Sequence, residues 1–121
     1  MNATPTLTER LAAIMALLAV ALGAVGAHAL KDHLAAVTNG LETWKTAALY
    51  HLVHAVVLYF LAMRHRCLAW WTMFAGILLF SGSLYAYSLC QLKFLVYLTP
   101  LGGLLLMLAW ALLALGRGAR P

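Results

Sequence analysis

Two histidines lie three residues apart in a segment that is otherwise apolar or aromatic, residues 49–62 (LYHLVHAVVLYFLA). His51 and His54 fall on one face of a helix, because positions three and four apart are neighbours there. A neutral imidazole can join a hydroxyl to a backbone carbonyl, relay a proton, or bind a metal or haem. We therefore expect either a hydrogen-bonded clasp between helices, which we favour, or a ligand-binding site.

Other polar residues are expected at a similar depth in the neighbouring apolar segments. The candidate polar cluster consists of His28, Tyr50, His51, His54, Ser81, Ser83, Tyr85 and Thr99. The only acidic residues, Glu9, Asp32 and Glu42, lie outside every apolar segment. Two histidines without a nearby carboxylate or thiolate are a weak metal signal. No nucleophile–base pair with an orienting acid can be assembled. We therefore expect no metal, no cofactor and no catalysis.

The composition places the chain in a membrane. Hydrophobic residues make up 65% of the 121 residues and charged residues 9%, whereas soluble domains carry about 25% charged residues. The formal charge is +5, but the basic residues lie singly at the ends of apolar runs, where they anchor helices to headgroups. Binding to nucleic acid requires clustered cations, so we exclude it and expect the lipid bilayer as the main partner.

Four apolar runs are each close to the about 20 residues that a helix needs to cross a bilayer. Their ranges are 11–30, 46–63, 68–89 and 94–115. Strands of a membrane barrel would alternate polar and apolar residues, and these runs do not. The sequence predicts an all-α membrane protein with four transmembrane helices in a compact bundle, forming a single domain over residues 1–121.

The segment 31–45, between spans one and two, has apolar residues at helical spacing. Asn39–Gly40 interrupts this pattern and indicates a turn. We predict a short interfacial helix followed by a turn into span two. The alternative is an ordered loop with Trp44 at the membrane surface.

The N-terminal run allows a second interpretation, because Arg10, an apolar run and Ala27–His28–Ala29 resemble a signal peptide with its cleavage site. The run is longer than the usual 7–15 residues, so we expect it to remain as span one.

The distribution of basic residues predicts the orientation. With four spans, five arginines share one side of the membrane and three lysines the other: Arg10, Arg64, Arg66, Arg117 and Arg120, against Lys31, Lys45 and Lys93. The excess on the first side predicts that both termini are cytoplasmic.

Small residues and a proline predict where helices approach closely. Span one has a stripe at 3.5-residue spacing, and spans three and four add further positions: Ala12, Ala16, Ala19, Gly23 and Gly26, then Gly76, Pro100, Gly102 and Gly103. Such stripes let neighbouring backbones come close. Pro100 lacks a backbone N–H, so span four should kink or begin there. A structural kink is favoured over a binding-site break.

Four sequence blocks, taken together, resemble the YgdD-like small inner-membrane proteins. The blocks are GAVGAHALKDHL (23–34), LETWKTAALYHLVHAVVLYFLA (41–62), LFSGSLYAYSL (79–89) and LTPLGGLLLMLAW (98–110). The resemblance implies four spans, a bacterial inner (plasma) membrane location and a family without an established biochemical function. It places the motif residues of that family at Gly26, His28, Trp44, Tyr50, His54, Ser81, Gly82, Ser83, Tyr85, Pro100 and Gly102. Relatives often have Gln where this chain has His51, which favours His28 and His54 as the shared histidines.

Two classes of function remain. The first is a non-catalytic accessory or structural subunit that associates with a larger membrane complex, such as a respiratory one, or with itself. The second is a small transporter or channel, or a haem- or metal-binding membrane protein, that uses the polar cluster in the outer leaflet. The first predicts dry, hydrogen-bonded histidines, and the second predicts a wet cavity that reaches the outer surface.

Overall fold

The computed structural model describes residues 3–117, which form five helices and no strand. The helices are α1 (Leu7–Ala27), α2 (Lys31–Ala36), α3 (Gly40–Met63), α4 (Cys67–Cys90) and α5 (Leu95–Ala114). All except α2 are long and apolar enough to cross a membrane. This confirms the predicted four-helix membrane fold with a short helix between spans one and two. Arg120, which contributes to the predicted orientation, lies outside the described residues.

Local sequence signals define where the helices begin and end. Thr6 and Glu9 form a capping box at the start of α1, which satisfies two backbone N–H groups that the first turn leaves free. Asn39 adopts the left-handed conformation (φ 57°) immediately before α3, as the predicted turn requires. After α3, His65 is also left-handed (φ 53°), and the N–H of Arg66 donates to the carbonyl of Leu61 at 3.0 Å. The tight turn into α4 is therefore a Schellman motif.

The structure corrects the predicted start of span two. Helix α3 begins at Gly40 rather than near Thr46, so Trp44 belongs to the transmembrane helix and not to the surface segment. Polar residues such as Glu42 lie on its exposed side, so the helix extends beyond the apolar run into the interface. Helix α2 folds back over this end, where Leu34 is completely buried.

The helices pack in a chain of neighbours, with α1 against α3, α3 against α4 and α4 against α5. The antiparallel α3–α4 pair is therefore central. The main core lies between the four long helices and includes Met15, Leu58, Leu61, Trp70, Met73, Ile77, Leu106 and Ala109. The other face of each long helix carries exposed apolar side chains, as a helix in lipid requires.

Several of the small residues stand where helices cross closely. In α1, Ala12 and Ala19 are buried and Ala16 packs beside them. A Cβ on Gly26 would collide with the indole of Trp44, and one on Gly76 would meet Leu106. These positions show that much of the predicted stripe is used within the chain.

The α4–α5 contact is the tightest of these crossings, because a Cβ on Gly102 would overlap the backbone at Phe80. A Cβ on Gly103 would make ordinary van der Waals contact with the ring of Phe80, and a Cβ on Gly23 would touch nothing within 4 Å. Helix α5 begins at Leu95 with Pro100 inside it, which excludes the alternative that the helix starts at the proline.

Candidate functional site

His54 joins helices α3 and α5 through both of its ring nitrogens. Its Nδ1 lies 2.7 Å from the carbonyl oxygen of Tyr50, one turn earlier in α3. The indole N–H of Trp110 in α5 donates to its Nε2 at 3.1 Å, and the two rings meet edge to face. The imidazole is buried, so these bonds form away from solvent.

These partners determine the protonation of the His54 ring. A carbonyl oxygen can only accept, so Nδ1 carries the proton and donates to Tyr50. The indole of Trp110 can only donate, so Nε2 is unprotonated and accepts. Both nitrogens of the ring are then used in hydrogen bonds, and a metal or haem iron could bind Nε2 only by displacing Trp110. The geometry of His54 is that of an interhelical clasp.

His51 lies on the same buried side of α3 but contacts different neighbours. Its Nδ1 is 3.0 Å from the hydroxyl of Tyr85 in α4, and either group can donate. Its Nε2 is buried and forms no hydrogen bond of normal geometry within the described residues, and the backbone of Met15 in α1 lies close enough to the ring to interact with it. A buried polar atom without a partner is costly, so Nε2 is the incomplete part of the cluster.

The serines of the cluster connect α4 to both of its neighbours. The hydroxyl of Ser81 donates to the carbonyl of Ala47 in α3 at 2.8 Å. The hydroxyls of Ser83 and Thr99 are 2.6 Å apart across the α4–α5 contact. One hydroxyl donates to the other, and the second donates to a backbone carbonyl about one turn earlier, either Ser83 to Phe80 at 2.9 Å or Thr99 to Leu95 at 3.4 Å. These hydroxyls are therefore used in packing.

Two residues of the candidate cluster have other positions. Tyr50 is exposed and contributes its backbone carbonyl to His54, while its ring packs on Phe80 with centroids 4.8 Å apart. His28 is exposed at the C-cap of α1, where the helix ends before the predicted end of span one. The structure does not bring His28 together with the two buried histidines.

Two tryptophans are important in the site but were not assigned to it from the sequence. Trp44 donates its indole N–H to the carbonyl of Leu22 in α1 at 2.8 Å, and its ring packs edge to face on Tyr85 with centroids 4.7 Å apart. Trp110 is the donor to His54. The sequence carried no signal for Trp110, because the nearly equal distances of His54 and Trp110 from their helix starts emerge only when α3 begins at Gly40.

The unpartnered Nε2 belongs to a side chain that lines a groove between α1 and α4. We call it the His51 groove; it has a volume of about 170 Å³ and is lined by Met15, Leu18, His51, Ser81, Gly82 and Tyr85, with further aliphatic side chains. Its walls are almost entirely apolar, and Leu18 at its edge is exposed. The groove therefore opens toward lipid rather than forming a wide polar channel.

The side chains do not assemble a metal centre in the part of the chain that the structure describes, where no group of three His, Cys, Asp or Glu residues comes together. The chemistry that the cluster offers is hydrogen bonding by neutral groups. Both ring nitrogens of His54 are hydrogen-bonded, whereas Nε2 of His51 is buried behind the apolar wall of the groove and forms no bond of normal geometry in the described residues.

Comparison with known proteins identifies the family. Residues 22–103 match the family model described as "Protein of unknown function (DUF423)". The chain is 43% identical over 111 residues to the UPF0382 membrane protein YwdK of Bacillus subtilis, covering 85% of this chain and 89% of that protein. It is 38% identical over 113 residues to the UPF0382 inner membrane protein YgdD of Escherichia coli, covering 87% and 84%.

No solved structure matches the chain. The names of these relatives describe membrane proteins and give no sign of catalytic activity. The matched region extends from the end of α1 to the first turns of α5 and contains His28, His51, His54, Ser81, Ser83, Tyr85 and Thr99. The chain is therefore a four-span membrane protein that belongs to the UPF0382 (DUF423) family of unknown function, as the resemblance to YgdD-like proteins predicted.

Proposed function

We propose that this protein is a non-catalytic accessory or structural subunit of the bacterial inner membrane. In this proposal it forms a single four-span domain, with both termini in the cytoplasm, and associates with a larger membrane complex or with itself. The contact is made by a transmembrane helix that docks on the His51 groove.

The observation that carries the proposal is the unpartnered Nε2 of His51. The other buried polar side chains of the cluster are bonded to one another or to backbone carbonyls of their own or a neighbouring helix. A nitrogen buried to this extent gains stability when a partner completes it. A helix that carries a hydroxyl or amide side chain supplies such a partner, and these groups mediate helix association in membranes.

Gly82 is a second indication that the His51 groove is a contact surface. It lies in the middle of α4 and lines the His51 groove, yet a Cβ at this position would meet nothing within 4 Å in the chain. Glycine in a helix interior costs about 1 kcal/mol relative to alanine, and no contact among residues 3–117 explains its presence. Close approach of another helix backbone does explain it, since small residues line such contacts in membranes.

A second candidate function uses the same groove for a small lipophilic molecule with one carbonyl or hydroxyl group. The groove volume of about 170 Å³ and the free nitrogen of His51 favour it. A transporter or a haem protein has less support. His54 has no free nitrogen for iron, and the serine hydroxyls are bonded between helices.

The test is purification of the tagged full-length protein from native membranes in mild detergent, followed by mass spectrometry of both proteins and small molecules. The informative variant is Gly82→Leu, which adds a side chain to the groove from a position where a Cβ meets nothing within 4 Å, and its fold is checked by circular dichroism. Ala111→Leu is the matched control, because Ala111 is exposed on α5 and away from the groove.

We expect stoichiometric recovery of a partner protein, or of a self-associated species, that Gly82→Leu abolishes and Ala111→Leu preserves. A monomer that carries a lipophilic molecule, lost in Gly82→Leu, would replace the accessory role with the ligand-binding one. A monomer without a bound molecule, or equal loss in both variants, would contradict the use of this groove.

A further inference from the structure

A small cavity of about 50 Å³ lies at the end of the molecule opposite α2, beside the turn between α3 and α4. The side chains that line it include Arg66 and Trp70 at the start of α4 and Thr6 and Thr8 at the start of α1. A water molecule occupies about 30 Å³ in the liquid. The cavity therefore admits one oxygen-sized group, or two at most.

Two residues that line this cavity carry buried N–H donors without an acceptor in the described residues, and a small shift of these side chains would be needed to expose either donor to the cavity. The donors are Nε of Arg66 and the indole Nε1 of Trp70. Trp70 is only 1% exposed, so its N–H has no access to bulk water. The terminal amino group of Arg66 donates to the carbonyl of Arg117 at 3.3 Å, which holds the guanidinium at this end of the bundle. An acceptor from outside the chain is the missing component.

The surrounding charge favours an anionic acceptor. Three further arginines, Arg10, Arg64 and Arg117, lie at this end of the molecule. The one acidic side chain near them in the described residues is Glu9, whose carboxylate accepts the backbone N–H of Thr6 at 2.8 Å.

The start of α4 adds to this field. No side chain of the described residues caps the helix, so the N–H groups of its first turn lack a side-chain acceptor there, and helix N-termini favour anions. The cavity thus combines unpartnered donors, positive side chains and a positive helix end.

We propose that this cavity receives one phosphate oxygen of an anionic phospholipid headgroup. The site stands at the end of a membrane-spanning helix, the level at which the phosphates of a bilayer lie. Its volume admits one oxygen while the rest of the headgroup remains outside. Basic pockets at the ends of transmembrane helices are the sites that anionic lipids recognise. The proposal does not depend on the accessory role or on the His51 groove.

The experiment is native mass spectrometry of the delipidated full-length protein in detergent, titrated with phosphatidylglycerol or phosphatidylethanolamine. The informative variants are Arg66→Lys, which keeps the charge and removes the Nε–H, and Trp70→Phe, which keeps an aromatic ring and removes the indole N–H. The controls are the adjacent residues, Arg64→Lys and Trp71→Phe, because Arg64 and Trp71 are exposed.

We expect one tightly bound phosphatidylglycerol per protein, with its apparent Kd raised about tenfold in each informative variant, the effect of losing one hydrogen bond to a charged acceptor. The controls should bind like the unmodified protein. If Trp70→Phe fails to fold by circular dichroism, Arg66→Lys alone decides.

Three outcomes would overturn the proposal. The first is lipid binding that Arg66→Lys and Trp70→Phe leave unchanged, which would leave the cavity to water. The second is a loss of lipid affinity in Arg64→Lys equal to that in Arg66→Lys, which would show that the effect comes from surface charge alone. The third is displacement of the bound phosphatidylglycerol by millimolar inorganic phosphate, which would assign the cavity to a free anion.

Discussion

Replacing Trp110 with phenylalanine removes the N–H that donates to Nε2 of His54 and leaves that nitrogen unpaired on a buried helix face. A buried group that loses its partner costs about 1–3 kcal/mol. Interhelical hydrogen bonds in membranes are weaker, about 0.6 kcal/mol on average and about 1.7 kcal/mol at most. The bond of 3.1 Å is well formed and buried at His54. We therefore expect a coupling energy of about 1 kcal/mol between these two side chains.

A double-mutant cycle isolates this energy, with Trp110→Phe, His54→Phe and the combined variant. Reversible unfolding in mixed micelles, followed by far-ultraviolet circular dichroism, gives the free energy of unfolding of each. Trp71→Phe is the control, because Trp71 is 48% exposed and Trp110 is 46% exposed, so both lose similar contact with lipid. A coupling energy within about 0.3 kcal/mol of zero, the range of additive sites, would refute the clasp. Equal coupling between His54 and Trp71 would refute it too.

Three further predictions concern packing and orientation. Gly102→Ala should lower the free energy of unfolding by about 1–3 kcal/mol, because the added Cβ overlaps the α4 backbone. Gly82→Ala should leave the free energy of unfolding unchanged or raise it by up to about 1 kcal/mol. If denaturation showed Gly82→Ala to be the less stable variant, the packing described would be contradicted. Trp44→Phe should cost about 0.5–1.5 kcal/mol by removing the indole bond to α1, and unaltered stability in the same assay would show that this bond contributes nothing. Cys67 and Cys90 are exposed at opposite ends of α4, so a membrane-impermeant thiol reagent added to intact spheroplasts should label Cys90 alone, whereas labelling of Cys67 alone would place the termini outside the cytoplasm.

The four membrane helices could be predicted because each needs only a long apolar run, which the sequence shows directly. The start of α3 could not be predicted, because Gly40–Lys45 contains charged residues that remain exposed while the helix continues into the interface. The turn before it was predictable, since Asn39 is a residue type that accepts the left-handed conformation.

The candidate site was predicted only in part. Residue type and depth identified Ser81, Ser83 and Thr99, which do bond between helices. The same reasoning included His28, which lies exposed at the end of α1. The depth of a residue in the membrane does not determine the side of the helix from which its side chain projects. Which helix lies opposite that side depends on the order in which the helices pack. For the same reason the sequence did not assign Trp110 to His54.

The two histidines at the centre of the cluster differ because helix geometry separates them. A spacing of three residues rotates one side chain about 60° from the other around α3. That rotation turns His54 toward α5, where a donor and an acceptor occupy both nitrogens, and His51 toward α4 and the groove beside α1. One imidazole therefore completes the packing of the bundle, and the other joins two helices while keeping one nitrogen free. The two histidines therefore differ in their surroundings: His54 is bonded at both nitrogens between α3 and α5, and the recognition that we propose for this bundle concerns His51 alone.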